Sequence, residues 1–255
     1  MKRLLCFVLA FCMIAVFICG CNNHSSNNTT QSTSDSASSS GTTESSGSTE
    51  SSSSASATLE EPMKQPTSIP KSIKILAIGN SFSVDAVEYL WDMFDAAGIE
   101  EIVIGNLYIG GCSLDTHWTN MSGNLGAYTF YYNDSGKWET QSKKSVLYAL
   151  QLEEWDYITV QQASPESGKP DSLKNLQNVL NYVDTNKTND KAEVYWHMTW
   201  AYQTTSSHSN FPDYGNSQMT MYNAIVSTTK NHVTGYDMIK GIIPSGTAVQ
   251  NLRTS

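Results

Sequence analysis

The sequence predicts an α/β fold in which helices flank a doubly wound, mostly parallel β-sheet. Short runs of branched apolar residues at 73–78, 157–161 and 193–198 are typical of buried parallel strands. Segments with apolar residues at helical spacing stand between them, at 85–97 and 173–183. Strands and helices that alternate in this way form a parallel sheet with helices on both faces.

The elements can be placed in chain order. Strands are expected at 73–79, 101–108, 157–161 and 193–198, and helices at 85–97, 145–153 and 173–183, with a further helix beginning at 219–226. Gly98 stands where the first helix should be capped. Two short segments around an Asn-Asp-Ser-Gly turn, 128–132 and 137–140, predict a β-hairpin near the carboxyl edge of the sheet.

The N-terminus is typical of a secreted lipoprotein. Lys2 and Arg3 precede an apolar run at 4–18, which is short for a membrane span and matches the core of a signal peptide. The run ends in Ile-Cys-Gly-Cys, which resembles the bacterial lipobox. We therefore expect a signal peptide at 1–20, a lipid anchor at Cys21 and a location on the extracytoplasmic face of a bacterial membrane. The alternative is an uncleaved anchor helix, which also leaves the domain outside the membrane.

The rest of the chain divides into a linker and one domain. Residues 21–65 are mostly Ser, Thr, Asn, Gly and Glu, which predicts a disordered tether, and 66–255 form a domain-sized globular segment. Of the five cysteines only Cys112 lies in that domain, so the mature chain has no intramolecular disulfide. Removal of Lys2 and Arg3 would shift the formal charge from -9 to -11, which disfavours nucleic-acid partners. We expect a monomer.

Polar and glycine residues follow three of the predicted strands, at the sheet edge where ligands bind in open α/β folds. We call the residues directly after a strand its exit. The first exit is Gly79-Asn80-Ser81, the second contains Gly110-Gly111, and the third is Gln161-Gln162. Each has an ordinary structural explanation: serine and asparagine cap helices, paired glycines form tight turns, and buried amides tie loops together. The occurrence of all three exits in this order favours a functional site over three separate structural features.

The set resembles the SGNH (GDSL-like) hydrolases, in particular a domain group of unknown function with a Gly-Asn-Ser-Phe first block. The resemblance implies a flavodoxin-like sheet and acyl transfer from an ester. It makes Ser81 the nucleophile, the backbone N–H groups of Ser81 and Gly111 oxyanion donors, and Gln162 or Gln161 the side-chain donor. Asn80 stands in place of the usual aspartate. A serine of this kind needs a base and converging donors to act.

The base is the missing part. SGNH enzymes take it from an Asp-x-x-His motif after the last strand, and residues 235–255 contain none. We therefore expect a C-terminally shortened domain with impaired catalysis, and an exposed apolar patch near Ile242, Ile243 and Val249. His197 is the best internal substitute, although a satisfied buried histidine or a substrate contact is the stronger interpretation of it. The histidine spacings match no zinc pattern, and neither a metal nor a cofactor is expected.

Two functions remain open at this point, besides a purely structural lipoprotein for which the linker would serve as a spacer. The first is an extracellular serine esterase or deacetylase acting on a small-molecule or polysaccharide ester, for which aromatic residues such as Trp200 near the exits suit stacking on sugar rings. The second is a non-catalytic surface lipoprotein that binds a glycan or a partner on the same scaffold. The absent base favours the second for this chain, while Ser81, Gly111 and Gln162 favour the first.

Overall fold

The computed structural model describes residues 69–254, which fold around one β-sheet. Its strands within that range are β1 (Ser72–Gly79), β2 (Glu101–Tyr108), β3 (Tyr128–Asn133), β4 (Glu139–Lys144), β5 (Tyr157–Val160), β6 (Glu193–His197) and β7 (Ile239–Ile243). They lie in the order β4-β3-β2-β1-β5-β6-β7 across the sheet.

The strands alternate with α-helices. In the described range these are α1 (Ser81–Val87), α2 (Leu90–Ala96), α3 (Leu114–Ser122), α4 (Val146–Leu152), α5 (Leu176–Asn186), α6 (Gln218–Thr228) and α7 (Ser245–Thr254). Single turns of 3-10 helix occur at Ser164–Glu166, Pro170–Leu173 and Phe211–Tyr214, and a π turn at Thr229–Val233 extends α6.

The predicted α/β class with a mostly parallel sheet is confirmed. Strands β2, β1, β5, β6 and β7 run parallel, and β3 and β4 add an antiparallel hairpin at one edge. Counted among the parallel strands alone, the order is 2-1-3-4-5, which is the flavodoxin-like arrangement. In this arrangement the carboxyl ends of all five parallel strands meet at one edge of the sheet.

Each face of the sheet packs against its own helices because side chains alternate along a strand. On β1, Leu76 and Ile78 belong to the larger core, which includes buried residues of α3, α4, α5 and α6. Ile75 and Ala77 face the other way and form a smaller core with α1 and α2, where Phe94 is the largest buried side chain. Burial of β1 on both faces explains its continuous apolar sequence.

The structure differs from the sequence-based expectation at several elements. The predicted helix at 85–97 is two helices, and the first begins at Ser81, directly after β1. The hairpin extends the sheet, since β3 pairs along β2 from Ile104↔Asn133 to Tyr108↔Thr129. Helix α3, strand β7 and helix α7 were not predicted. Strand β7 is a half-buried edge strand interrupted by a lysine and a glycine, and it lacks a continuous apolar run.

The predicted apolar patch is wrong. Ile243 is 6% exposed, and Ile242 and Val249 are only partly exposed. Ile242 packs against the larger core, and Ile243 lines a small cavity of about 30 Å³ together with His197 and Ala77.

Several expectations fall on residues that the structure does not describe. The signal peptide at 1–20, the lipid anchor at Cys21 and the linker at 21–65 lie outside residues 69–254. Within that described range, no helix is long and apolar enough to cross a membrane.

Candidate active site

The three strand exits singled out in the sequence are joined directly by hydrogen bonds. The Asn80 side chain, after β1, donates from Nδ2 to the Cys112 carbonyl after β2, at 3.1 Å. Gln161, after β5, donates from Nε2 to Asn80 Oδ1 at 2.8 Å. Gln162 in turn accepts from the Leu114 N–H at 3.0 Å. These hydrogen bonds join the three exits at the carboxyl edge of the sheet.

Ser81 is the serine of the first exit that stands open to solvent. It is the first residue of α1 and is exposed, and its hydroxyl forms no hydrogen bond to any of residues 69–254. Asn80 is the helix cap, since its Oδ1 accepts from the Phe82 N–H at 3.1 Å. Ser83 is buried, and its Oγ lies 2.8 Å from Asn80 O and from Asn106 Oδ1. Neither serine caps the helix, and Ser81 Oγ is available to react with a ligand.

Two backbone N–H groups at the first and second exits, those of Ser81 and Gly111, have no hydrogen-bond acceptor within residues 69–254. Gly111 is exposed and has φ +63°, and a side chain built there would meet nothing within 4 Å. Glycine is therefore favoured at this position by its backbone conformation rather than by lack of space. Each donor belongs to a residue next to one end of the Asn80–Cys112 hydrogen bond.

The resemblance makes Gln162 or Gln161 the side-chain oxyanion donor, and in this structure both side chains are hydrogen-bonded to other residues. Gln162 is fully buried, its Oε1 accepts from the N–H groups of Leu114 and Ala163, and its Nε2 donates to Ser172 O at 2.9 Å. Gln161 is equally buried and is bonded to Asn80 and His197. The two amides tie loops together because a buried amide must satisfy its polar atoms internally.

His197 does not act as a base for Ser81 in this structure. Its ring is 3% exposed, with Nδ1 at 3.0 Å from Gln161 Oε1 and Nε2 at 3.1 Å from Ser245 Oγ. Burial lowers the pKa of His197 to about 4. The ring is therefore neutral at neutral pH, and both of its nitrogens are directed at residues other than Ser81.

Aromatic side chains border the site on two sides. Trp200, after β6, is half-buried and packs edge-on against Phe82 with ring centroids 4.3 Å apart. On the β2 side, half-buried Tyr108 lies 5.9 Å from Tyr131, and its hydroxyl lies close to Gly110. Sequence analysis expected Trp200 near the exits, and the structure brings it against the residue that follows Ser81.

Sequence analysis missed Ser245 and Asn106. Ser245 begins α7 and bonds to His197, and Asn106 lies in β2 and bonds to Ser83. The run Ile-Lys-Gly-Ile-Ile followed by Pro-Ser-Gly could have pointed to Ser245, because it repeats the pattern of a strand followed by a polar exit. Nothing in the sequence distinguishes Asn106 from a solvent-facing residue of its strand.

Among the described residues, no group of three or more His, Cys, Asp or Glu side chains is placed to hold a metal ion. His117, in α3, is buried, with Nδ1 at 2.9 Å from the Tyr128 hydroxyl. A cleft of about 480 Å³ opens at the opposite, amino edge of the sheet. Lys74 in that cleft is already paired with Glu101 and Glu153, so the cleft is an ion-paired surface away from Ser81.

Gly79→Ala is expected to destabilise the protein and disturb the site together. A methyl group at Gly79 would lie 2.7 Å from Gln161 Oε1 and 2.7 Å from Ser83 Oγ, both of which are buried and bonded. Overpacking of this kind costs about 1–3 kcal/mol. The urea-unfolding midpoint measures it, with Gly235→Ala as the control because a methyl group there meets nothing within 4 Å. Equal midpoints for the two variants would contradict the packing of Gln161 over Gly79.

Comparison with known proteins gives a family and one similar crystal structure. The model of a domain of unknown function, DUF4886, matches residues 74–255. A crystal structure of a DUF4886 family protein from Bacteroides uniformis is 45% identical, with a TM-score of 0.69, and the match covers 72% of this chain and 71% of that one. No curated protein matches the chain.

Two more distant structures have lower sequence identity and lower TM-scores. A protein from Slackia heliotrinireducens, provisionally described as an SGNH hydrolase, is 16% identical with a TM-score of 0.37, over 64% of this chain and 76% of that one. An acetyl xylan esterase is 14% identical with a TM-score of 0.41, over 71% and 84%.

Proposed function

The chain belongs to the DUF4886 family, and from the site at its sheet edge we propose that its domain is an SGNH-type serine esterase whose nucleophile is Ser81. One observation carries the proposal. The exposed hydroxyl of Ser81 has no hydrogen bond to the described residues, and the N–H groups of Ser81 and Gly111, each next to one end of the Asn80–Cys112 hydrogen bond, also lack an acceptor there. Such a combination suits attack on an acyl carbon and stabilisation of the oxyanion that forms.

The reaction follows from these groups. Ser81 Oγ forms a bond to the carbonyl carbon of the ester while its proton passes to a base, and the carbonyl oxygen becomes an oxyanion that accepts from the Ser81 and Gly111 N–H groups. The bond to the alkoxide breaks, and the alkoxide takes up the proton. Water then attacks the acyl-serine in the same way, which releases the acid and restores the hydroxyl. Each donor of this type contributes roughly 3 kcal/mol to the transition state.

The proposal includes slow turnover by this chain. Within residues 69–254 no histidine ring is hydrogen-bonded to Ser81, and His197 is directed at Gln161 and Ser245 instead. A serine without a positioned base retains only the rate that binding and the oxyanion donors supply. The family resemblance assigns the base to an Asp-x-x-His segment, which residues 1–255 do not contain.

We propose acylated carbohydrate as the substrate class. Half-buried Trp200 packs against Phe82, the residue after Ser81, and half-buried Tyr108 ends β2 opposite Gly79, and aromatic faces of this kind stack on sugar rings. The formal charge of -9 favours neutral acyl sugars over anionic polymers. The lipobox-like sequence at Cys21 supports an enzyme anchored by lipid on the outer face of a bacterial membrane, where such polymers are accessible.

A second candidate function is non-catalytic binding of a glycan or a protein partner on the same scaffold. It is favoured by one observation, the lack of a base beside Ser81 among the described residues. The aromatic borders would then serve recognition alone. The two candidates differ in whether Ser81 Oγ can be made to react.

A fluorophosphonate probe tests the nucleophile directly. In the presence of imidazole as an external base, Ser81 Oγ should form a bond to phosphorus as fluoride leaves and the proton passes to imidazole. We expect mass spectrometry to place the adduct on Ser81, and no adduct in Ser81→Ala. An adduct on Ser245 or on another serine, or the same slow labelling in folded and urea-unfolded protein, would remove the support for an esterase.

A further inference from the structure

A buried chain of hydrogen bonds runs across the carboxyl edge of four neighbouring strands. Ser245 after β7, His197 at the end of β6, Gln161 after β5 and Asn80 after β1 are linked in that order at 3.1, 3.0 and 2.8 Å. His197, Gln161 and Asn80 are each 3% exposed or less. We call these four residues the relay. The relay ends at the residue before Ser81, and the proposed reaction uses none of its side chains as an acid or base.

We infer that His197 is a positioning residue, held as the tautomer with its proton on Nδ1, and that through Gln161 it fixes the Asn80 amide that joins the Ser81 turn to the Gly111 loop. The inference rests on the proposed function only for its effect on turnover. The geometry of the relay can be tested whether or not the protein is an esterase.

Two backbone groups determine the orientation of Asn80. Its Oδ1 accepts from the Phe82 N–H, which can only donate, and its Nδ2 donates to the Cys112 carbonyl, which can only accept. The opposite orientation of the amide would break both bonds. The Asn80 side chain is therefore anchored to the first turn of α1 on one side and to the second exit on the other.

Asn80 in turn determines the orientation of Gln161, and Gln161 determines the tautomer of His197. Because Asn80 Oδ1 is an acceptor, the Gln161 atom 2.8 Å from it must be the amide nitrogen, so Gln161 Oε1 points at His197 Nδ1. An oxygen accepts, and Nδ1 must carry the proton. The reverse arrangement would place two oxygens against each other in a site without solvent.

The neutral ring then presents a lone pair on Nε2 to Ser245. Burial lowers the pKa of His197 to about 4, so the ring is uncharged at neutral pH and the Ser245 hydroxyl donates to Nε2. This alignment resembles a serine paired with its base. The N–H groups of Gly246, Thr247 and Ala248, which follow Ser245 in α7, are bonded to backbone carbonyls and are not available as oxyanion donors. Ser245 closes the relay at its end away from Ser81.

Matched variants of His197 distinguish the roles of its two ring nitrogens. Asparagine can place an amide near the position of Nδ1 and keep the donor to Gln161, whereas glutamine reaches the position of Nε2 and keeps only the contact with Ser245. We expect His197→Gln to lower the imidazole-supported kcat about tenfold with KM changed less than about twofold, and His197→Asn to stay within about threefold of the parent. Loss of packing alone would affect both amides equally.

Two measurements do not depend on turnover. Nitrogen NMR of the His197 ring should show a protonated Nδ1 and an unprotonated Nε2 at neutral pH. Hydrogen exchange of the Phe82 N–H, which is bonded to Asn80, should be about tenfold faster in His197→Gln than in His197→Asn. If the parent shows no imidazole-supported turnover that depends on Ser81, the esterase proposal fails and these two measurements alone decide whether the relay exists.

A proton on Nε2 would overturn the inference, because Gln161 and Asn80 would then have the opposite orientation. Equal hydrogen exchange at Phe82 in the two variants would also overturn it, since His197 would not be controlling the Asn80 amide. Equal kcat values in an active enzyme would show that the relay does not reach the reacting groups.

Discussion

Added imidazole is expected to raise ester hydrolysis by this protein roughly tenfold to a hundredfold, and only when Ser81 is present. A positioned general base contributes about 10²–10⁴ to such a reaction, and a base that diffuses freely recovers part of that factor. Ser81 Oγ is exposed and has no hydrogen-bond partner in residues 69–254, so a small base can reach it. Without imidazole, the parent and Ser81→Ala should differ little, because the parts of a serine–base pair act as a unit.

Release of p-nitrophenol from p-nitrophenyl acetate, with and without imidazole, measures this effect. Ser81→Ala supplies the background rate of imidazole in solution, and Ser83→Ala is the matched control. Ser83 is buried and bonded to Asn80 and Asn106, so its loss should lower stability but leave the imidazole effect in place. An imidazole effect that survives in Ser81→Ala, or is absent from the parent, would favour the binding function over the esterase.

Acidification from pH 6.5 to pH 4 is expected to destabilise the fold by several kcal/mol. Burial lowers the pKa of both His117 and His197 from 6.5 to about 4. The unfolded chain therefore binds a proton on each ring below about pH 6.5, whereas the folded chain does so only near pH 4. The stability that the two neutral rings contribute is complete above pH 6.5. It is lost as the pH falls from 6.5 to 4, by roughly 3 kcal/mol for each ring.

The combined loss is comparable to the whole stability of many domains, which is about 5–15 kcal/mol. Carboxyl groups also change the loss of stability in acid. Ion pairs with lysine lower the pKa of Asp115 and Asp213, which adds to the loss in acid, while burial raises the pKa of Asp156, which opposes it. The histidines should nevertheless dominate, because their rings are almost fully buried and these carboxyl groups are partly or fully exposed.

Urea unfolding at pH 7 and pH 5 measures this dependence. His117→Asn can keep a hydrogen bond to the Tyr128 hydroxyl and removes one titrating ring, so the difference in unfolding free energy between the two pH values should shrink by roughly 2 kcal/mol. His232→Asn, at an exposed position, controls for loss of an imidazole as such. An undiminished difference in His117→Asn would mean that this ring takes up its proton as readily in the folded as in the unfolded chain.

Much of the parallel sheet follows from local sequence. The strand at 101–108 is predicted to the residue, and those that begin at 157 and 193 are each one residue shorter than predicted. Their continuous apolar runs reflect burial on both faces. The edge strand β7 was missed for the same reason, since half-buried Ile239 and exposed Lys240 do not form such a run.

The position of Ser81 was determined by the sequence, because a glycine, an asparagine and a serine directly after a buried strand must lie at the carboxyl edge of the sheet. The same reasoning placed Gly111 and the two glutamines at that edge. What each amide does there was decided only by tertiary structure. Gln162 bonds to Leu114 and Ser172, and Gln161 bonds to Asn80 and His197, partners up to 81 residues away in the chain.

There is a physical reason why local sequence determined some features and tertiary structure decided others. Apolar periodicity and strand exits are properties of neighbouring residues, so the sequence by itself determined the α/β class, the parallel strands and the edge that carries Ser81. The direction of a buried amide or imidazole depends on which distant donor or acceptor shares its site, and the cost of leaving a polar atom unpaired selects one arrangement. Tertiary structure alone therefore decided that Ser81 is open, that Asn80 caps its helix, and that His197 is bonded to Gln161 and Ser245.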